Sequence, residues 1–358
     1  MDKTLAWLWL ADAVGSGCQY ARELLDLYPD PAELYDILRV GTEAPPACLS
    51  AHALAQLRDT TPFDYEERLD HCLLSGIDIL TPDEGTYPDR LRDLPDLPLV
   101  LYVTGSAACL NGGRYAGMVG TRRPSAYGRQ AAFDLSLAMA QAGVVLVSGM
   151  ADGLDSEAHR AAVQAGVPTV AFLGTAIDKT YPAALFDGGA VCSEYPPGYT
   201  GRTTGTFLAR NRLIAAQSEV LCVAEARTRS GTLNTVGHAE RLGRPVLAVP
   251  GSIYSALSEG TNELLCTHRA EPLCKAADAL DILGIGAETA DPAQQRFDPA
   301  AVSPDAQAVY AVLKPTPQGI DALCAAARLP AGRVLAACTE LELMGGAQAQ
   351  PGRRYIAL

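Results

Sequence analysis

From about residue 77 the chain repeats one unit: a short unbroken apolar run, a turn rich in Gly, Ser or Thr, then a helical stretch. Residues 115–119 lead into Gly120-Thr121-Arg122-Arg123 and a helix over 127–142. Residues 144–147 lead into Ser148-Gly149-Met150-Ala151-Asp152-Gly153 and a helix to 165. Residues 168–173 end at Gly174-Thr175. Residues 220–224 run through 227–231 into a helix to 242, and 245–249 end at Pro250-Gly251-Ser252. Two further short strands, 76–80 and 99–103, precede these units. Continuous apolar strands alternating with helices require a mostly parallel sheet covered on both faces, so the fold class is α/β, doubly wound.

The ends of the chain read differently. Residues 1–75 form short helices over 5–14, 21–27, 31–38, 51–57 and 65–74, with Pro and Gly at the breaks. The Gly15-Ser16-Gly17 turn is either a tight connection, the preferred reading, or a cradle of backbone amides for a phosphate. Residues 76–283 carry the sheet. Residues 284–304, rich in Ala, Pro, Asp, Gly and Gln without apolar periodicity, read as a linker. Residues 305–358, with helices over 306–313, 318–327 and 330–343 and a strand at Tyr355-Ile356, describe a winged helix.

In such a sheet ligands sit beyond the carboxyl ends of the strands. Gly120, Thr121 and Arg122, Gly149 with Gly153, Gly174, and Ser230, Gly231 and Thr232 all fall there. Glycine admits close backbone approach, hydroxyls donate, and helix N-termini carry partial positive charge, which together make a phosphate-binding rim. The stretch GTFLARNRLIAAQS, 205–218, adds Arg210, Asn211 and Arg212. The chain has a formal charge of −13, so cations gathered at one place call for an anion or an internal salt bridge.

Several function classes are disfavoured. No P-loop, no GxGxxG followed by an acid and no GxSxG elbow is present, so neither a cofactor nor a catalytic set is expected. Asp155 and His159, four apart, fit an acid–base pair less well than a capping carboxylate and a hydrogen-bonded core histidine. Glu194 and Glu225 follow strands and either reach the crevice or orient the arginines. The ten cysteines form no CxxC pair, which suits reduced buried thiols and no metal. The absence of a leader-like or membrane-length apolar segment leads us to expect a cytoplasmic protein without membrane contact.

These motifs, in this order and over nearly the whole chain, closely resemble the DprA (Smf) family of DNA-processing proteins. They are YPDRLRDLPDLPLVLYVTG at 87–105, VGTRRPSAYG at 119–128, SGMADGLDSEAH at 148–159, SEYPPG at 193–198, ARNRLIA at 209–215, EARTRSGTLNT at 225–235 and VPGSIYSALSEGTNELL at 249–265. The resemblance implies an extended Rossmann-like sheet domain between a SAM-like helical domain and a winged-helix tail. It also implies a non-enzymatic protein that binds single-stranded DNA, forms a homodimer and loads the RecA recombinase during natural transformation. Strand contacts carry over to Arg122, Arg210, Arg212 and the loop from Ser230 to Thr232. Replacing Arg210 and Arg212 together is then expected to abolish single-strand binding and leave the fold and dimer intact. Tyr181, Phe186 and Tyr195 lie near the crevice and are candidates for base stacking or for core packing. The chain departs from the family pattern at Ala183, where a lysine is frequent, and at Leu208, where proline is usual.

Two other readings compete. A LOG-type nucleotide phosphoribohydrolase uses a similar sheet, but Thr235 stands where its catalytic glutamate belongs, and fold analogy alone is a weak guide. A transcription regulator would need a more basic winged helix than one whose helices carry Arg328 and Arg333 beside Asp321, Glu340 and Glu342.

Overall fold

The computed structural model describes residues 2–41, 44–178, 188–201, 203–285, 299, 302–314, 316–344, 346–350, 352 and 354–357. Two compact units divide at 292/293. The first opens with helices α1 (Lys3–Val14), α2 (Ala21–Leu27), α3 (Pro31–Val40), α4 (Ala51–Asp59) and α5 (Glu66–Leu74). Each of α1, α3 and α4 starts on a side-chain cap, from Asp2, Asp30 and Ser50, which satisfies amides that the first turn leaves unpaired. The Gly15-Ser16-Gly17 turn connects α1 to the segment before α2. It packs toward Ala209, and Ser16 Oγ donates to Glu194 Oε2 at 2.8 Å.

The sheet follows: β1 (Asp78–Leu80), α6 (Asp89–Arg92), β2 (Leu101–Gly105), β3 (Tyr115–Val119), α7 (Ala126–Gln141), β4 (Val145–Ser148), α8 (Leu154–Ala165) and β5 (Thr169–Leu173). Then come β6 (Ala190–Ser193), α9 (Thr204–Gln217), β7 (Val220–Val223), α10 (Gly231–Arg241), β8 (Val246–Ala248), α11 (Glu259–Cys266), β9 (Glu271–Pro272) and α12 (Ala276–Ile282). Strand order is β1-β2-β6-β5-β4-β3-β7-β8-β9. The pairs β1–β2 and β2–β6 are antiparallel and every other pair is parallel. The doubly wound α/β class is therefore present, with an antiparallel edge.

Strand side chains alternate between two apolar layers, as the period of two demands. Ala116, Met118, Val220, Cys222 and Leu247 face a layer with Ala132 and Met139 of α7, Ala158 of α8 and Ala279 of α12. Tyr115, Val119, Leu221, Val223 and Val246 face the other, with Leu213 and Ile214 of α9, Val236 of α10 and the buried Trp7 and Trp9 of α1. The N-terminal helices thus share one continuous core with the second face. Strand order reverses between β3 and β7, whose carboxyl ends lie side by side (Val119 pairs with Val223). A crevice opens at such a switch point because the following helices leave to opposite faces.

The second unit contains α13 (Pro304–Tyr310), β10 (Gln318–Gly319), α14 (Ile320–Ala327), α15 (Ala331–Leu343), β11 (Ala347–Gln350) and β12 (Arg354–Ala357). Three helices and an antiparallel sheet ordered β10-β12-β11 enclose Val309, Leu323, Val334 and Leu341, a winged helix. Gln318 and Gly319 form a strand, where the sequence suggests the start of a helix, because they pair with Tyr355 and Arg354. Arg333 is engaged by Asp305, its Nε donating at 2.5 Å.

Candidate functional site

A cavity of about 570 Å³ lies at the switch point. Gly120, Thr121 and Arg122 after β3, Ala151 and Asp155 after β4, and Ser230, Gly231 and Thr232 at the start of α10 form three sides. Thr203, Thr204, Phe207, Leu208, Arg210, Asn211 and Ile214 form the fourth. Positions 203, 207, 210, 211 and 214 recur at three and four residues, so they share one face of α9. The start of α9 is pinned in place: Thr203 Oγ1 accepts from Thr206 N–H at 3.3 Å, and Thr206 Oγ1 donates to Gly174 O at 2.8 Å. Gly174 permits this, since a Cβ there would lie 2.9 Å from Phe207 Cδ1.

The two arginines of α9 part company. Residues two apart on a helix are separated by about 200°, and Arg212 turns into the protein, 2 % exposed. Its Nη1 and Nη2 donate to Glu194 Oε2 and Oε1 at 2.7 and 2.6 Å, and its Nε lies 3.1 Å from Asp96 Oδ2. Desolvation opposes the charge, but the Glu194 and Asp96 carboxylates outweigh it and raise the Arg212 pKa above the ordinary arginine value. Arg212 does not line the cavity. Arg210 does, yet it is 3 % exposed, with Nη1 donating to Gly149 O at 2.6 Å and to Phe172 O. The expectation that both can be removed with the fold intact is therefore corrected: Arg212 holds a buried bidentate ion pair and Arg210 ties α9 to the ends of β4 and β5. Glu194 orients Arg212 rather than the crevice.

Gly120, Thr121, Arg122, Arg210, Asn211, Ser230, Gly231 and Thr232 are brought together; Gly149, Gly153 and Gly174 stand behind the walls. Gly149 packs under the Arg210 guanidinium. Gly153, at φ 91°, lets Leu154 N–H donate to Thr121 O at 3.3 Å, joining two of the loops. Asn211 Nδ2 donates to Gly231 O and Asn234 Oδ1 at 3.3 and 3.2 Å, fixing α9 against α10. Tyr181 and Phe186 lie outside the described residues. Tyr195 is buried and stacks on Tyr199, with centroids 4.7 Å apart.

Sequence reasoning missed Phe207. The Arg122 guanidinium sits 4.9 Å from its ring centroid, a cation–π contact that holds the cation at the cavity. Its three-residue spacing from Arg210 was the available signal. The Asp155 carboxyl accepts from Gly149 N–H at 3.2 Å. Burial raises its pKa against the lowering effect of the Arg210 charge. His159 is fully buried with Nδ1 2.8 Å from Thr169 Oγ1, whose hydroxyl donates to Leu146 O. That network assigns the proton to Nδ1, and burial, then Arg210, lowers the pKa to about 4. It is a core histidine. Glu225 accepts from Ser125 N–H and Oγ at 2.9 and 2.5 Å and so anchors the start of α7.

Three features make the cavity receptive to an anion. First, α9 and α10 bring N-termini whose first turns carry no acid, whereas α8, α11 and α12 carry Asp155 and Glu157, Glu259 and Asp278. Second, Ser230 occupies the N-cap position of α10 without making a cap bond, and its buried Oγ has no partner among the described residues. Third, Arg122, Arg123, Arg227 and Arg229 are exposed on the loops after β3 and β7, and none of them makes an ion pair among the described residues. Among those residues no His, Cys, Asp and Glu group could hold a metal, and no helix is long and apolar enough to cross a membrane.

Comparison with known proteins gives consistent matches. The family described as DNA recombination-mediator protein A matches residues 78–284, and the DprA winged helix domain matches 291–353. A putative DNA processing protein DprA from Mycobacterium tuberculosis is 33 % identical over 375 residues, covering 98 % of this chain and 94 % of the relative. The crystal structure of DNA processing protein A from Streptococcus pneumoniae superposes with a TM-score of 0.64 at 28 % identity, covering 78 % of this chain and 97 % of that one. A Helicobacter pylori DNA processing protein A, described for its single-stranded DNA binding mode, gives 0.51 at 29 % identity, covering 58 % and 95 %.

Proposed function

The chain belongs to the DNA recombination-mediator protein A family, and on that premise we propose that it is a non-catalytic single-stranded DNA-binding mediator. It protects incoming strands and loads a RecA-type recombinase onto them during DNA uptake and natural transformation. The unpartnered Ser230 hydroxyl at the acid-free start of α10 carries the reading, because a buried donor beside free amides is satisfied by a phosphate oxygen. Arg122, steadied over the Phe207 ring, supplies charge for the phosphate backbone, which is engaged without sequence readout. Arg212 has no part in this contact, and Arg210 acts from the wall.

Thr235, at the pocket lining, has a hydroxyl where a phosphoribohydrolase of the LOG type has its glutamate, and the lining carboxylate Asp155 is occupied by Gly149 N–H. Both points support a binding role over hydrolysis. The small number of exposed cations at the pocket supports a homodimer, since two grooves on one strand gain affinity through effective concentration. Recombinase loading is supported by the family description, and it is checked by asking whether the chain shortens the lag of RecA filament growth on coated strands.

The direct test is anisotropy with oligo-dT across a salt series. Arg122→Ala is expected to weaken binding and to reduce the slope of log K against log salt by about 0.7, one single-strand phosphate. Unchanged affinity and slope would remove the basis of the proposal.

A further inference from the structure

The loop from Pro250 to Ser258, between β8 and α11, plays no part in the pocket, yet it reaches the same edge of the sheet. Its backbone is held from several sides. Gly251 N–H donates to Asn262 Oδ1 at 3.1 Å, and Asn262 Nδ2 donates back to Gly251 O at 3.0 Å. Ser255 and Ser258 N–H donate to Ser252 O and Ser255 O at 3.0 and 2.9 Å, and Tyr254 N–H donates to Ser252 Oγ at 3.2 Å. At the start of α11, Gly260 N–H donates to Ala226 O at 2.8 Å. A Cβ at residue 260 would lie 2.7 Å from both Ala226 O and Arg227 O. The loop is thus clamped onto the segment that runs from β7 to the pocket.

This fixed loop holds Ile253 81 % and Tyr254 93 % exposed. A mobile loop could turn such side chains inward; here the turn geometry keeps them facing water, which marks a surface awaiting an apolar partner. Tyr127, exposed at the first turn of α7, donates its hydroxyl to Pro250 O at 2.7 Å and sets a second ring beside the loop. Between the loop and Ser230 of the pocket lie Arg227 and Arg229, exposed and without an ion pair among the described residues. Aromatic faces next to unpaired cations, continuous with a pocket for phosphate, are the elements of a single-strand track.

We propose that Ile253 and Tyr254 form a stacking platform for the bases of a single strand as it leaves the pocket, with Arg227 and Arg229 following its phosphates. The inference rests on the reading of the pocket as a strand site. A duplex keeps its bases stacked inside and offers this platform nothing, so the occupant is unpaired nucleic acid. The flanking cations favour that polyanion over a second copy of an acidic chain.

The test uses the full chain, an oligo-dT of roughly twenty residues and an abasic strand of the same length. The double variant Ile253→Ser with Tyr254→Ser is expected to lose roughly tenfold or more in affinity for oligo-dT, the scale of base–aromatic stacking. Its affinity for the abasic strand and its salt slope are expected to stay the same, since no cation is removed. Tyr254→Trp is expected to show fluorescence quenching by oligo-dT and none by the abasic strand. Unchanged oligo-dT affinity in the double variant, or an unquenched Trp, overturns the platform. Equal loss for both strands together with altered sedimentation would assign the surface to a second copy and overturn it as well. Arg122→Ala separates the two readings: it is expected to weaken both strands, and no effect on either would sink the pocket itself.

Discussion

Arg212 and Glu194 are both removed from solvent, and each is the other's main compensation. Truncating one leaves the other charged and unpaired in the interior, which costs on the order of 3–5 kcal/mol. Arg212→Met is therefore expected to lower stability by that amount in urea unfolding, while the protein that remains folded binds oligo-dT as before. His159 gives a second prediction. Its folded pKa, about 4, lies below the ordinary value near 6.5, so the unfolded chain binds the extra proton first. The stability that its neutral form permits is complete above about pH 6.5 and is lost as pH falls toward 4. Between pH 7 and pH 5 the loss is about 2 kcal/mol. His159→Asn, which keeps a donor toward Thr169, is expected to flatten the pH profile by that amount. At this scale the sequence was legible in type but not in direction. The cluster Arg210-Asn211-Arg212 stands out in an acidic chain, yet only the helical phase reveals that one guanidinium lines the pocket while the other anchors the core. Phe207 was hidden for the same reason.

Among the helices of the sheet domain that begin at serines, α7 and α10 use them in opposite ways. Ser125 Oγ accepts from Gly128 N–H at 3.0 Å and donates to Glu225, so it caps α7. Ser230 makes no cap bond for α10. Ser125→Ala is expected to cost about 1–2 kcal/mol of stability. Ser230→Ala is expected to stay within about 0.5 kcal/mol of the parent in stability and to weaken oligo-dT binding. Measuring both quantities for both variants decides whether the start of α10 is built for the fold or for a ligand. Most elements were readable here: Pro and Gly breaks delimit α1 to α5, and unbroken apolar runs followed by Gly, Ser or Thr give β3, β4, β5, β7 and β8. The strand before Glu194, β6, was readable too, but its neighbours in the sheet were not. Its place between β2 and β5 comes from pairing partners distant in sequence.

Every described residue lining the cavity belongs to the first compact unit. The chain ended at residue 292 is therefore expected to keep its oligo-dT affinity within about twofold at low protein concentration, since non-contacting parts contribute additively. Loss of binding on that truncation would move the contact to the winged helix. The doubly wound sheet and the winged helix were legible in composition and periodicity, because a helix–strand alternation and a three-helix cluster with a terminal strand have distinct signatures. The continuity of the N-terminal helices with the sheet core was not, since which apolar faces meet is settled only by packing. One carboxylate shows what that continuity entails. Glu194 receives Ser16 from the turn after α1 and Arg212 from the core-facing side of α9, so three distant stretches hang on a single side chain. Acid and base there can be exchanged only as a couple: descent that alters one partner strands its mate in oil, and lineages carrying this design should retain both or surrender both.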